Sequence, residues 1–235
     1  MTSSPASPRP RQTAQQHALD HVRSLLAAGT LKPDDRIRQE QLASQLGTSV
    51  IPVREALKTL QAEGLIRYVP HRGFHVTRLS VDELTETYLI RRLLEDEIVR
   101  IAADRLEEHH FDVLEESLQE MERLAPEGDV AAMIEANRRF HFTIFEAADR
   151  PRMVDFIRIL WQTTDSYRSM YYAELEARER VNHEHRSIVE ALAAHDVDRA
   201  VHELDQHRQH AVIDLGTRLD PVAEASEVSD ASETA

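Results

Sequence analysis

LKPDDRIRQEQLASQLGTSVIPVREALKTLQAEGLIRYVPHRGFHV, residues 31–76, holds two short helices, a tight turn and a hairpin, in that order. Residues 40–46 form a short helix that stops at Gly47. A glycine there can take the left-handed conformation that lets two helices meet at a steep angle. Ser49 stands where an N-cap belongs, ahead of a helix running to about Glu63. Pro52 is tolerated in its first turn, which has no intrahelical N–H bond to lose. Gly64 ends that helix. Residues 65–69 and 73–77 are rich in β-branched and aromatic side chains, and 70–72 separate them as a hairpin turn. Residues 31–37 read as a turn around Pro33 and Asp34.

Working outward, residues 13–28 place Ala14, Ala18, Leu19, Val22, Leu25 and Leu26 at helical spacing, and Gly29 stops the pattern. Helix, helix, turn, helix and hairpin make a winged helix-turn-helix over residues 13–78. Its second paired helix would enter the major groove with Thr48, Ser49, Val50, Ile51 and Arg54 at the base edges. Ala56, Leu57, Leu60 and Leu65 fall on the opposite, core-facing side. On the far side, Ser80 to Glu83 spells a capping box. Helical patterns then cover about 80–107, 110–124, 129–148, 151–172, 174–195 and 197–215, with breaks at 126–128 and 149–151. The fold is thus mainly α, with residues 79–216 an antiparallel bundle of about six helices. Residues 1–12 read as a disordered arm, and 217–235, acidic and small, as a disordered tail.

Net charge is −14, which by itself argues against nucleic acid. Its distribution argues the other way. Residues 1–78 hold 11 Lys and Arg against 6 Asp and Glu, whereas 79–235 hold 17 against 36. A basic segment joined to an acidic one is the footprint of a DNA-binding module with a separate partner domain, although two halves of any chain can differ in charge. With no cysteine, thiolate metal sites and disulfides are excluded and a cytoplasmic location is expected. No apolar run suits a membrane span.

The wording of 31–76, above all PVREALKTLQAEGLI at 52–66 and RGFHV at 72–76, resembles the DNA-binding domain of the GntR family of bacterial regulators. The resemblance implies that Arg54 contacts DNA from the recognition helix and that Ser49 adds a hydroxyl. It also implies that Arg72 and Gly73 bring the wing tip to the minor groove. On residue chemistry alone, Arg54 could instead pair with Glu55 or Glu63. The family often has Arg where Val50 stands and Thr where Ile51 stands. Both apolar side chains can still touch thymine methyl groups.

Thirteen histidines is a high count. His17, His21, His109 and His110 suggest no special role. Asn137 and His141 lie four apart and share a helix face. His185 and His207 lie on two later helices, where three inward faces could bring the side chains to one point. Such a donor set suits Zn²⁺ or Ni²⁺, or Mn²⁺ when oxygen ligands join, though a lone histidine on an apolar helix is more often a satisfied core residue. His183 and His210 are near alternatives whose simpler reading is solvent-facing. ANRRFHFTIFEAA at 136–148, NHEHRSIVEALAAHD at 182–196 and RRLLE at 91–95 resemble the FCD domain of the FadR-type branch of that family. The resemblance implies a divalent metal held by Asn137, His141, His185 and His207, with Asn in a place where relatives also use Asp. The metal would seat a small organic acid effector, helped by Arg91 and lined by Tyr167 and Arg168. Arg91 also stands four residues from Glu95, the spacing of a structural ion pair. Trp161, Tyr171 and Tyr172 read as core or interface.

The expectation is a homodimeric, effector-responsive regulator, a repressor that reads a palindromic operator on double-stranded DNA. The rivals are a metal-dependent enzyme using the three histidines and a structural helical adaptor. No HExxH sequence and no phosphate loop support the enzyme. A missing bidentate Arg–guanine contact removes about 1–3 kcal/mol of base discrimination. Selection of binding sites from random duplex DNA should therefore return a motif different from that of relatives with Arg at the Val50 position. An unchanged motif would refute this.

Overall fold

The computed structural model of the chain describes residues 13–219. Among them the chain forms α1 (Ala14–Ala27), β1 (Arg36–Ile37), α2 (Gln39–Gln45), α3 (Val50–Ala62), β2 (Ile66–Val69) and β3 (Gly73–Val76). It continues with α4 (Val81–Ala103), α5 (Glu108–Glu127), α6 (Val130–Ala147), α7 (Pro151–Tyr171), α8 (Leu175–Ala193) and α9 (Val197–Leu219). The arm at 1–12 and all but 217–219 of the expected tail lie outside the described residues.

The first six elements are a winged helix-turn-helix. Ala18, Val22, Leu42, Val53, Ala56, Leu57, Leu60, Ile66, Phe74 and Val76 form one hydrophobic cluster. Gly47 takes φ +61°, and α2 and α3 pack against each other across it. The wing is an antiparallel sheet in the order β1-β3-β2. Its first strand is a finding, since 31–37 read as a turn alone. Asp34 does turn, at φ +71°, but Arg36 and Ile37 then pair with His75 and Phe74. Two residues are too short to show a strand period, and only tertiary pairing makes them one. Ile37 is buried against Phe74 as a result.

The last six elements form a helical bundle around a second cluster that includes Leu84, Ile98, Leu118, Met121, Phe140, Phe145, Trp161, Val181, Ile188 and Leu204. The Ser80 capping box is present in full, and Pro151 opens α7 at its first position. Three expected boundaries move, and the first is that α4 ends at Ala103, short of 107. The α5 helix continues through Pro126 to Glu127 and closes on Gly128, whose N–H donates to Leu124 O. Leu124 and Ala125 are buried, Arg178 Nε donates to Ala125 O at 2.7 Å, and Arg123 pairs with Glu127. These contacts hold a turn that proline alone would weaken. Likewise α9 runs past Gly216 to Leu219. Leu215 is buried and Arg218 pairs with Glu174, enough to offset the roughly 1 kcal/mol cost of glycine in a helix.

The two parts meet along α1 and α7. Gly29, just past α1, lies so near α7 that a Cβ there would come within 2.3 Å of Ser169 Cβ. Between the parts, Leu79 N–H donates to the Tyr167 hydroxyl at 2.5 Å. Among the described residues no helix is long and apolar enough to cross a membrane.

Leu57 is fully buried in α3, and Ile51 on the same helix is 73% exposed. Chemical denaturation should show Leu57→Ala losing about 2–5 kcal/mol. Ile51→Ala should stay within about 0.5 kcal/mol of the parent.

Candidate metal centre and nucleic-acid interface

Three helices bring the expected histidines together. His141 on α6, His185 on α8 and His207 on α9 place one ring nitrogen each within 4.8 Å of the others, and all three are buried. His141 Nε2 and His185 Nε2 are 3.0 Å apart. Zinc ligands held at about 2.0–2.1 Å in tetrahedral array stand roughly 3.3 Å from one another, so the His141–His185 pair stands near that spacing and the His207 nitrogen lies within 4.8 Å of both. Asn137 lies one turn before His141, fully buried, and neither its Oδ1 nor its Nδ2 has a hydrogen-bond partner. An amide buried in that state costs about 1–3 kcal/mol unless something else satisfies it. The donor set, the convergence and the orphaned amide together fit a divalent ion.

Glu184 completes the arrangement and escaped the sequence reading. His207 Nδ1 donates to Glu184 Oε2 at 2.7 Å, so the tautomer is set and Nε2 is left for the cluster. His210 Nδ1 donates to the other oxygen at 2.6 Å. Burial disfavours the Glu184 carboxylate, yet these two donors outweigh it and hold its pKa below the ordinary value. No spacing rule could find this residue, because α8–α9 packing alone brings Glu184 to His207. His210, expected to face solvent, belongs to this chain of contacts, whereas His183 is exposed.

Trp161 forms one wall, its ring 4.9 Å from His141. Arg91 and Arg168 stack on Trp161 at 4.5 and 4.2 Å. Arg91 makes the ion pair that its spacing allowed, Nε to Glu95 Oε1 at 2.8 Å, but its NH1 is buried without a partner. Arg168 has both Nε and NH2 buried without a hydrogen bond, and its Nε forms an ion pair with Asp165 at 3.6 Å. Tyr167 does not join this wall, since its hydroxyl is engaged by Leu79. A small cavity of about 20 Å³ adjoins the cluster, lined by Tyr88, Arg168, Tyr171, Tyr172 and His207 among others. Tyr171 and Tyr172 are buried core residues, as is Trp161.

On the other part of the molecule, Ser49 caps α3 by its backbone, and its exposed hydroxyl makes no cap bond. Ile51 and Arg54 are exposed on the same helix, while Val50 is half-buried against the core. Arg54 pairs with neither Glu55 nor Glu63. Those carboxylates are taken by Lys58 and Arg23, and Arg54 Nε donates to Gln39 Oε1 at 3.1 Å. Arg72 is exposed at the hairpin tip beside Gly73.

Burial, followed by the neighbouring imidazoles and the Arg168 guanidinium, holds His141 and His185 well below the ordinary value of 6.5. Unfolded, both histidines take up protons near that value; folded, they stay neutral. The unfolded state therefore binds more protons below pH 6.5, and stability falls as pH drops through that range. Denaturation midpoints of metal-free protein should decline from pH 7 to pH 5, with a shallower slope in His185→Gln. Parallel pH profiles for the two proteins would contradict this assignment.

Comparison with known proteins agrees with both halves of this description. The model for bacterial regulatory proteins of the gntR family matches residues 14–76, and the FCD domain model matches 86–210. The chain is 30% identical to the HTH-type transcriptional regulator McbR of Escherichia coli K12, over 80% of this chain and 86% of that protein. It is 31% identical to a probable D-xylose utilization operon transcriptional repressor of Paenarthrobacter nicotinovorans, over 84% of this chain and 86% of that one. The solved structure of E. coli McbR/YncC superposes with a TM-score of 0.81 at 27% identity, covering 88% of this chain and 99% of that one. These relatives are regulators of transcription, not enzymes, and the chain belongs with them to the GntR family of bacterial regulators, with an FCD domain as its helical partner.

Proposed function

We propose that this regulator is a ligand-responsive repressor whose operator affinity is set by a small organic acid bound at a metal-assisted site in residues 79–216. The observation that supports it best is the meeting of three buried imidazoles with the amide of Asn137 and with nitrogens of Arg168 and Arg91 that make no hydrogen bond. Asn137, His141, His185 and His207 would hold Zn²⁺, Ni²⁺ or Mn²⁺. The ion would supply an open coordination position for a carboxylate oxygen. Arg168, with Arg91 behind it, would take the rest of the anion through charge-assisted hydrogen bonds. The neighbouring cavity of about 20 Å³ has room for about one water, so any acid must be small and must displace side chains on entry.

In residues 13–78, Ser49, Val50, Ile51, Arg54, Arg72 and Gly73 would meet the operator. Gln39 braces Arg54 from the preceding helix. A palindromic site requires two copies. Exposed Leu89, Ile90 and Leu93 on α4 and Phe156 and Ile159 on α7 support a homodimer formed by the helical part. A repressor of transcription acts where the DNA is, which places it in the bacterial cytoplasm.

Elemental analysis of the purified protein should find a divalent metal that His185→Ala lacks. Glu184→Gln should weaken its binding about 10–100-fold, the usual cost of losing the carboxylate behind a metal-bound imidazole. Operator affinity in a mobility-shift assay should change with metal and small carboxylates in the parent and not in His185→Ala. Equal metal content in the parent and His185→Ala would remove the site from these residues.

A further inference from the structure

We infer that residues 167–169 of α7 are the link through which occupancy of the histidine site reaches the DNA-binding part, with Arg168 facing the site, Tyr167 holding the interdomain segment and Ser169 bearing on the end of α1. This rests on the reading of the histidine site given above.

Consecutive residues of a helix point about 100° apart, so one turn can face three neighbours at once. Here it does. Arg168 stacks on Trp161, beside His141. Tyr167 accepts the Leu79 N–H at 2.5 Å, a hydrogen bond buried between the two parts. Leu79 follows Arg78, whose guanidinium reaches Asp34 at 3.4 Å, and Asp34 also takes Arg67 of β2 at 2.8 Å. The Tyr167 contact therefore leads into the wing. Ser169 meets Gly29 so closely that no side chain fits between them, and Gly29 sits at φ +66°, which suits glycine. Contact this tight leaves no slack to absorb a shift of α7.

The Arg168 end responds to charge. Its Nε and NH2 are buried with no hydrogen bond, and the guanidinium is held by the Asp165 ion pair at 3.6 Å and by the face of Trp161. A divalent cation held by the histidines would repel it, and an anion beside that cation would attract it. Either event gives the two positions of Arg168 different energies, which is what a population shift requires. Displacement of this turn acts on Leu79 and Gly29 together. The contacts made by Tyr167 and Ser169 add nothing to metal ligation, so binding and transmission are separable.

Full-length protein stripped of metal with EDTA and titrated with Zn²⁺ tests the link. Trp161 is the only tryptophan in the chain and touches both His141 and Arg168, so its fluorescence reports occupancy. Amide hydrogen exchange over 25–31 and 77–81 reports transmission. In the parent, Zn²⁺ should change Trp161 fluorescence and alter protection of both segments by about 5-fold or more. Tyr167→Phe and Ser169→Gly should bind Zn²⁺ within about 2-fold of the parent, while the change in protection falls below about 2-fold. Either variant suffices if the other folds poorly. If a folded variant keeps the full response in both segments, the inference is wrong. A parent that binds Zn²⁺ with no change in either segment overturns the link alone. A parent that binds no Zn²⁺ overturns the histidine site and the link with it.

Discussion

The Glu95 carboxylate is completely buried, and the bundle is arranged to make that possible. It accepts from Arg91 Nε within α4, from Trp161 Nε1 on α7 at 2.7 Å and from Arg208 NH1 on α9 at 3.1 Å. A carboxylate cannot stay ionised in an apolar core without such partners. Burial raises its pKa, but the two guanidinium groups outweigh that and hold it below the ordinary value. Asp96 and Asp205 in turn engage Arg208. Replacing a network of this kind with apolar groups often costs little stability, so its value lies in fixing geometry. Three helices are registered around one point, and that point adjoins the histidines.

The consequence is a site assembled from groups that the rest of the fold leaves wanting. Trp161 is oriented by Glu95 and carries Arg91 and Arg168 on its ring. His207 is oriented by Glu184, while His141 Nδ1, His185 Nδ1 and the whole Asn137 amide lack partners. Buried polar groups in a stable core are nearly always satisfied. A cluster that departs from this rule, with imidazoles and guanidinium groups side by side, is suited to a cation and an anion bound together.

The same helix that walls this site also touches the DNA-binding part, so α7 belongs to both. It sends Arg168 inward, Tyr167 to the interdomain segment and Ser169 to Gly29. The charge distribution agrees with the separation of roles. Basic side chains outnumber acidic ones before residue 79 and acidic outnumber basic after it, a balance by which phosphate would repel the helical part.

Much of this was legible in the residues themselves, wherever the information is local. Gly47 and Ser49 announced the turn, the β-branched and aromatic runs on either side of residues 70–72 announced the hairpin, and Ser80 with Glu83 announced the first helix of the bundle. The helical period also placed Asn137 and His141 on one face. What the sequence could not decide was non-local. Strand β1 exists only because β3 lies beside it. The helices continue past Pro126 and Gly216 because buried neighbours and ion pairs outweigh local propensity. Glu184 reaches His207 across two helices, and Tyr167, expected at the ligand, turns instead to Leu79. Periodicity says which face a side chain is on; only the packing of helices distant in sequence says what that face meets.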